Sequence, residues 1–117
     1  MSRAAINFQR DLEQLGLSDR VLTVLYSEFG RRPGQNSSGA GAGTDHGRAG
    51  VTMLMGEGVA GGLHGTIPRL DDLDATHNLK VNTDFRRVYA AIIDDWLGGD
   101  HTALLPGAPF APLPVIL

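Results

Sequence analysis

The stretch VLTVLYSEFGRRPGQNSSGAGAGTDHGRAGVTMLMGEGVAGGLHG, residues 21–65, decides the fold. Its opening run, Val21-Leu22-Thr23-Val24-Leu25-Tyr26, is β-branched and apolar on both faces, the pattern of a strand covered on both sides. A buried strand over 21–27 in a parallel sheet is therefore expected. From Glu28 to Gly50 no period survives, and this Gly-, Ser- and Asn-rich segment reads as one long loop, 28–50. Loops of that length inside a compact domain are functional or disordered. Val51 to Met55 reads as a second short strand, and the glycines at 56, 58, 61, 62 and 65 suggest tight turns around another short strand near 62–65. Of the 16 glycines, 12 fall between Gly30 and Gly65, so the excess is one local feature and function is sought there.

Upstream, Ala5, Phe8, Leu12 and Leu15 recur at helical spacing and Gly16 is a natural stop, which predicts a helix over 3–15. A helix feeding a buried strand is half of a βαβ crossover whose first strand would precede Met1, so the chain reads as the later part of a larger sheet. Downstream, 66–80 is polar and reads as surface loop. Thr83 then suits an N-cap, and Phe85, Val88, Tyr89, Ile92, Ile93, Trp96 and Leu97 carry a helix over 84–97 that ends at Gly98-Gly99. The tail, 103–117, holds four prolines among apolar residues and is expected to dock as an extended strap. The fold class expected is α/β, a mostly parallel sheet flanked by helices.

With 117 residues there is room for one domain, and 42% apolar with 20% charged residues describes an ordinary folded chain. Ten Lys and Arg against thirteen Asp and Glu give a net charge of −3 with no basic run, which argues against nucleic acid as a partner. No apolar stretch approaches the roughly 18 residues of a transmembrane segment. The charged start, MSRAAINFQRDLE, lacks the apolar core of a signal peptide. Cysteine is absent, so thiol chemistry is excluded and any metal must use His and carboxylate ligands.

Asp45-His46-Gly47, preceded by Thr44, offers oxygen and imidazole donors suited to Zn²⁺ or Mn²⁺, with a glycine that lets backbone approach an ion. Equally, Asp45 can cap a turn and His46 can be a surface imidazole. His64, bracketed by glycines in Gly61-Gly62-Leu63-His64-Gly65, is either a further ligand or a satisfied histidine beside a turn. Glu28, Arg31 and Arg32 follow the first strand, where open α/β sheets collect ligands; the guanidiniums suit a phosphate or sulfate, or form a solvated pair with the carboxylate. Ser37 and Ser38 have no paired base, and His77 and His101 read as surface residues. Neither glycine-rich segment is a phosphate loop, since the GxxxxGK[ST] lysine is missing.

The ordered blocks Ser27-Glu28-Phe29-Gly30-Arg31-Arg32, Gly43-Thr44-Asp45-His46-Gly47, Gly61-Gly62-Leu63-His64-Gly65, Thr83-Asp84-Phe85-Arg86-Arg87-Val88-Tyr89 and Trp96-Leu97-Gly98 resemble the C-terminal part of the domain-of-unknown-function 1501 family. That family is similar to the alkaline phosphatase and sulfatase superfamily, in which a Thr-Asp-His-Gly or Ser-Asp-His-Gly turn serves a two-metal site. By this resemblance 1–117 is a partial sulfatase-like domain. Asp45 and His46 would be metal ligands, His64 would complete the other metal, Arg31 or Arg32 would meet an anionic ester substrate, and Glu28, Thr44 and Gly47 would support the site. Members are longer and often exported, and their upstream part carries an Asp-x-His element and the nucleophile region. A two-metal hydrolase needs more ligands than this chain offers. The resemblance thus implies a phosphate or sulfate ester hydrolase that is inactive as these 117 residues and needs an N-terminal portion or a partner chain. The competing readings are a non-catalytic exported binding or structural protein, using the same loop for a structural ion or partner, and a decayed reading frame.

Overall fold

The computed structural model describes residues 2–117, which form an α/β chain divided into two compact units. The first unit gathers residues up to 24, 53–64 and 85–117; the second gathers 25–52 and 65–84.

In the first unit, α1 (Arg3–Gln14) starts where the Ser2 hydroxyl accepts the Ala5 N–H at 3.4 Å, covering one of the amides that a helix start leaves unpaired. It stops at Gly16, whose φ of +66° lets the Leu17 N–H return to the Leu12 carbonyl at 2.9 Å. Of its apolar stripe only Leu12 is buried. A single 3₁₀ turn, Ser18–Arg20, leads into β1 (Thr23–Leu25). The second helix, α2 (Phe85–Ala91), continues into a wider turn over Ile92–Trp96, closed by the Leu97 N–H on the Ile92 carbonyl at 3.0 Å. Gly58 lies against the Trp96 ring: a Cβ there would stand 2.5 Å from it.

The core is made by Val88 and Ala91 of α2 with Leu113 and Val115 of the C-terminal tail, and Leu54, Ile92 and Ile116 pack around them. The tail expected to be extended over 103–117 finishes a short helix, His101–Leu104, and a turn before running as an extended strap from 108, where its prolines forbid helix and leave carbonyls and the remaining amides for partners. The Arg87 Nε donates to the Ala111 carbonyl at 2.7 Å, the Leu113 N–H to the Arg87 carbonyl at 3.2 Å, and the Leu117 N–H to the Gly58 carbonyl at 2.9 Å. His101, expected on the surface, is 7% exposed and pins this strap. Its Nδ1 lies 2.6 Å from Asp94 Oδ2 and its Nε2 accepts the Phe110 N–H at 3.1 Å. A backbone amide can only donate, so Nε2 is bare and the proton sits on Nδ1, facing the carboxylate.

The sheets differ from the expectation. Instead of one mostly parallel sheet the described residues form two of two strands each, β1 with β4 (Met53–Met55), and β2 (Gly30–Gln35) with β3 (Thr44–Gly47). The strand expected over 21–27 is only Thr23–Leu25, and Tyr26 stands exposed rather than covered. Apolar residues on both faces signalled parallel pairing, but no crossover helix lies between β1 and β4 to impose it. The expected loop 28–50 is largely an antiparallel hairpin, invisible to hydrophobic periodicity because GRRPGQ and TDHG contain no apolar alternation. Residues 62–65 form no strand; Val59 bridges Ile116 instead. No helix is long and apolar enough to cross a membrane among the described residues.

The second unit is held by polar contacts rather than by apolar burial. The buried apolar side chains, Leu12, Met55, Val88, Ala90, Ala91, Leu113 and Val115, belong to the first unit, and the second buries Asn78. Asn78 Oδ1 accepts the Arg48 N–H at 3.2 Å and its Nδ2 donates to Thr76 Oγ1 at 2.9 Å. Asp74 Oδ1 accepts the Thr76 N–H, the Thr76 hydroxyl and the Asn78 N–H at 2.8, 2.7 and 3.0 Å, while Oδ2 meets Arg48 Nη1 at 3.2 Å. The Asn78 amide and Thr76 hydroxyl together hold the Asp74 carboxyl down to about 2, against an ordinary 3.8. A depressed carboxyl stabilises the fold fully above its unfolded value, and that contribution disappears as pH falls from about 4 through about 2. We expect the Asn78 amide resonance to lose its folded shift over that window, and Asp74→Asn to remove most of the transition; an unchanged profile in the variant would assign acid sensitivity elsewhere.

Candidate functional site

The β2–β3 hairpin carries most of the residues singled out from the sequence. Asn36 closes its loop by pairing twice with Gly43: its N–H donates to the Gly43 carbonyl at 2.9 Å, and its Oδ1 accepts the Gly43 N–H at 3.1 Å. Asn is suited to this because its side chain mimics a backbone turn. The Gly- and Ser-rich loop between is therefore a hairpin connection. Register then sets the faces: Gly30 pairs with Gly47, Arg31 with His46, and Gln35 with Thr44, so Arg32, Pro33 and Gly34 bulge opposite Asp45. A bulge tolerates the missing proline N–H and re-aims neighbouring side chains.

Gly47 has a structural reason to be glycine. A Cβ built on it would stand 2.6 Å from the Arg31 carbonyl carbon and 2.8 Å from the Arg32 nitrogen. Gly30 meets the Ala49 backbone in the same way. The strands come together where side chains are missing, and this close approach, rather than an ion, accounts for the glycine after His46.

Asp45 is exposed, and its Oδ1 accepts the Asn36 amide at 3.0 Å. His46 is exposed and stacks face-on against Phe29, ring centroids 3.6 Å apart and planes within 20°. Phe29 stands in the bend just before β2, and its ring meets His46 of β3. The Arg31 guanidinium also packs on the Phe29 ring, 5.0 Å from its centroid, and Nη1 donates to the Thr44 carbonyl at 2.6 Å. Arg32 is half-buried and its Nε has no acceptor. Glu28 stands exposed before the hairpin, and Thr44 is half-buried at the start of β3.

His64 belongs to the first unit, exposed, with Nε2 2.9 Å from the Ala60 carbonyl. A carbonyl accepts only, so that nitrogen carries the proton. Asp45 and His46 belong to the second unit. Among the described residues no group of three or more His, Cys, Asp or Glu is arranged to hold a metal ion. The donor types present, a carboxylate and an imidazole on successive residues of one strand, are of the kind that Zn²⁺ and Mn²⁺ sites use.

Sequence reasoning missed Phe29 and Asn36, the two side chains that hold His46 and Asp45. Phe29 stands one residue before β2, and no sequence period marks its contact with His46.

No curated protein and no solved structure matches this chain in the comparisons made. A family model described as "Protein of unknown function (DUF1501)" does match, over residues 1–107, which is most of the chain. The 117 residues therefore belong to the DUF1501 family.

Proposed function

We propose that this chain is the C-terminal part of a metal-dependent hydrolase of phosphate or sulfate esters, related to the alkaline phosphatase and sulfatase superfamily. Asp45 and His46 each donate to a divalent ion, Zn²⁺ or Mn²⁺, His64 serves a second ion, and Arg31 with Arg32 receives the anionic ester. The observation that carries the reading is the β2–β3 hairpin itself. It sets a carboxylate and an imidazole on consecutive, exposed residues, each held in place by a neighbour, with a guanidinium alongside.

Asp45 and His46 would hold a divalent ion, which would supply Lewis-acid chemistry to the ester. This chain's own contribution is binding and orientation. Asn36 fixes the Asp45 carboxylate by one oxygen and leaves the other for an ion. Arg31, tied to Thr44, presents its remaining N–H groups to an anion. The further ligands and the nucleophile come from residues outside this set. The 117 residues alone then bind metal weakly and turn over nothing.

Calorimetric titration of Zn²⁺ and Mn²⁺ into the chain tests the ligand assignment. Asp45→Ala and His46→Ala are each expected to weaken binding by more than about tenfold, since even outer-sphere substitutions cost 10–100-fold. Affinities unchanged in both variants would remove the assignment. In parallel, the chain with either metal is expected to leave aryl phosphate and aryl sulfate esters intact, and measurable turnover would contradict the partial-site reading. If a longer protein containing this segment keeps its hydrolytic activity with Asp45→Ala and loses only stability, the non-catalytic reading replaces this one.

A further inference from the structure

The imidazoles of this chain are held in different ways. His101 spends both nitrogens, on Asp94 and on the Phe110 amide. His64 spends Nε2 on the Ala60 carbonyl. His46 is gripped by the face of its ring, 3.6 Å from the Phe29 centroid, and neither of its nitrogens makes a hydrogen bond among the described residues. A metal ion binds an imidazole in the ring plane, at about 2.0–2.1 Å from nitrogen. Face stacking therefore fixes the plane while leaving open the edge that coordinates.

We propose that Phe29 is the positioning residue for His46, holding the imidazole plane so that a ring nitrogen meets a divalent ion without first being ordered. The proposal rests on the metal reading above and adds to it the residue that prepares the ligand. Its physical basis is pre-organisation: a long or rotatable side chain ordered only on binding loses affinity to entropy, about 0.5–1.5 kcal/mol for each rotamer-rich group. The usual orienting partner of a ligand histidine is a carboxylate or carbonyl on its second nitrogen. Here that role passes to a flat apolar face, which neither competes for the nitrogens nor chooses between them. Phe29 can reach His46 because Gly30 and Gly47 let the strands approach. The same ring bears Arg31, 5.0 Å from its centroid, so one side chain contacts both the imidazole and the guanidinium.

The test compares Phe29→Leu, which keeps apolar bulk and loses the flat face, with Phe29→Tyr, which keeps both. Co²⁺ is the probe, because its visible spectrum reports coordination as well as affinity. The wild-type chain is expected to bind Co²⁺ in a manner lost in Asp45→Ala and His46→Ala. Phe29→Leu is expected to weaken binding about tenfold with an altered spectrum, and Phe29→Tyr to restore both. Equal affinity and spectrum in Phe29→Leu, or no rescue by Phe29→Tyr, overturns the positioning role while the ligand assignment stands. No Co²⁺ uptake dependent on Asp45 and His46 overturns both. Should Phe29→Leu fail to fold, the wild-type chain still decides: the ring-current shift of the His46 ring protons must persist when Zn²⁺ is added. Its collapse on metal addition overturns the proposal.

Discussion

Cutting the chain after Gly107 is expected to unfold the first unit. The family match ends at residue 107, yet the strap beyond it supplies Leu113 and Val115, 8% and 2% exposed, to a core whose other buried members are Val88 and Ala91. Burying a Leu or Val side chain is worth about 1.5–3 kcal/mol, and a small domain's whole stability is about 5–15 kcal/mol. The cut also exposes α2 to water and leaves the bare Nε2 of His101 without its donor. The truncated chain is expected to show no cooperative thermal transition by circular dichroism. Leu117→Ala, at a side chain 86% exposed, is the control and should leave the midpoint within a degree or two. A 1–107 chain that melts close to the full one would mean that the strap is decoration on a core complete without it.

The second large effect is local to the hairpin. Gly30→Ala places a methyl on the Ala49 backbone, and Gly47→Ala places one 2.6 Å from the Arg31 carbonyl carbon. Backbone cannot rotate aside as a side chain can, so relief requires the strands to part, at about 3 kcal/mol or more, the upper end of overpacking costs. Asp45, His46 and the Phe29 stack would go with them. Gly34 and Gly41 have nothing within 4 Å of a built Cβ, and alanine there should be neutral or stabilise by about 0.4–1 kcal/mol through the unfolded chain. Hydrogen exchange at the Thr44 to Gly47 amides separates the cases. Loss of protection in Gly30→Ala and its retention in Gly41→Ala is the expected pattern; protection intact in both would mean that the strand spacing is wider than described.

What was legible in the sequence follows the apolar period. The helices over 3–15 and 84–97 are found as Arg3–Gln14 and as Phe85–Ala91 with its wider continuation to Trp96. Nothing in IIDDW marks the change of pitch, because the same residues serve either winding. Of the strand expected over 21–27 only Thr23–Leu25 forms, and its partner is not legible in the sequence: an apolar run reports burial, and says nothing of which strand lies alongside. The hairpin was hidden for a different reason. Its strands are held by glycines and polar pairs with little apolar surface, so composition read them as loop. At the site, donor types were legible and their holders were not. Asp45 and His46 stand out by chemistry, whereas Asn36 and Phe29 acquire their roles only from register. His101 misled in the other direction, as an imidazole in a polar stretch, AspHisThr, that is buried by a tail nine residues on.

The most direct test of the metal assignment is paramagnetic broadening of the backbone amide spectrum by Mn²⁺ at substoichiometric levels. The account predicts selective loss of signal from Thr44 to Gly47 and from Asn36, abolished by Asp45→Ala. Broadening centred on the acidic loop Asp71–Asp74, or spread evenly over the surface, would contradict it.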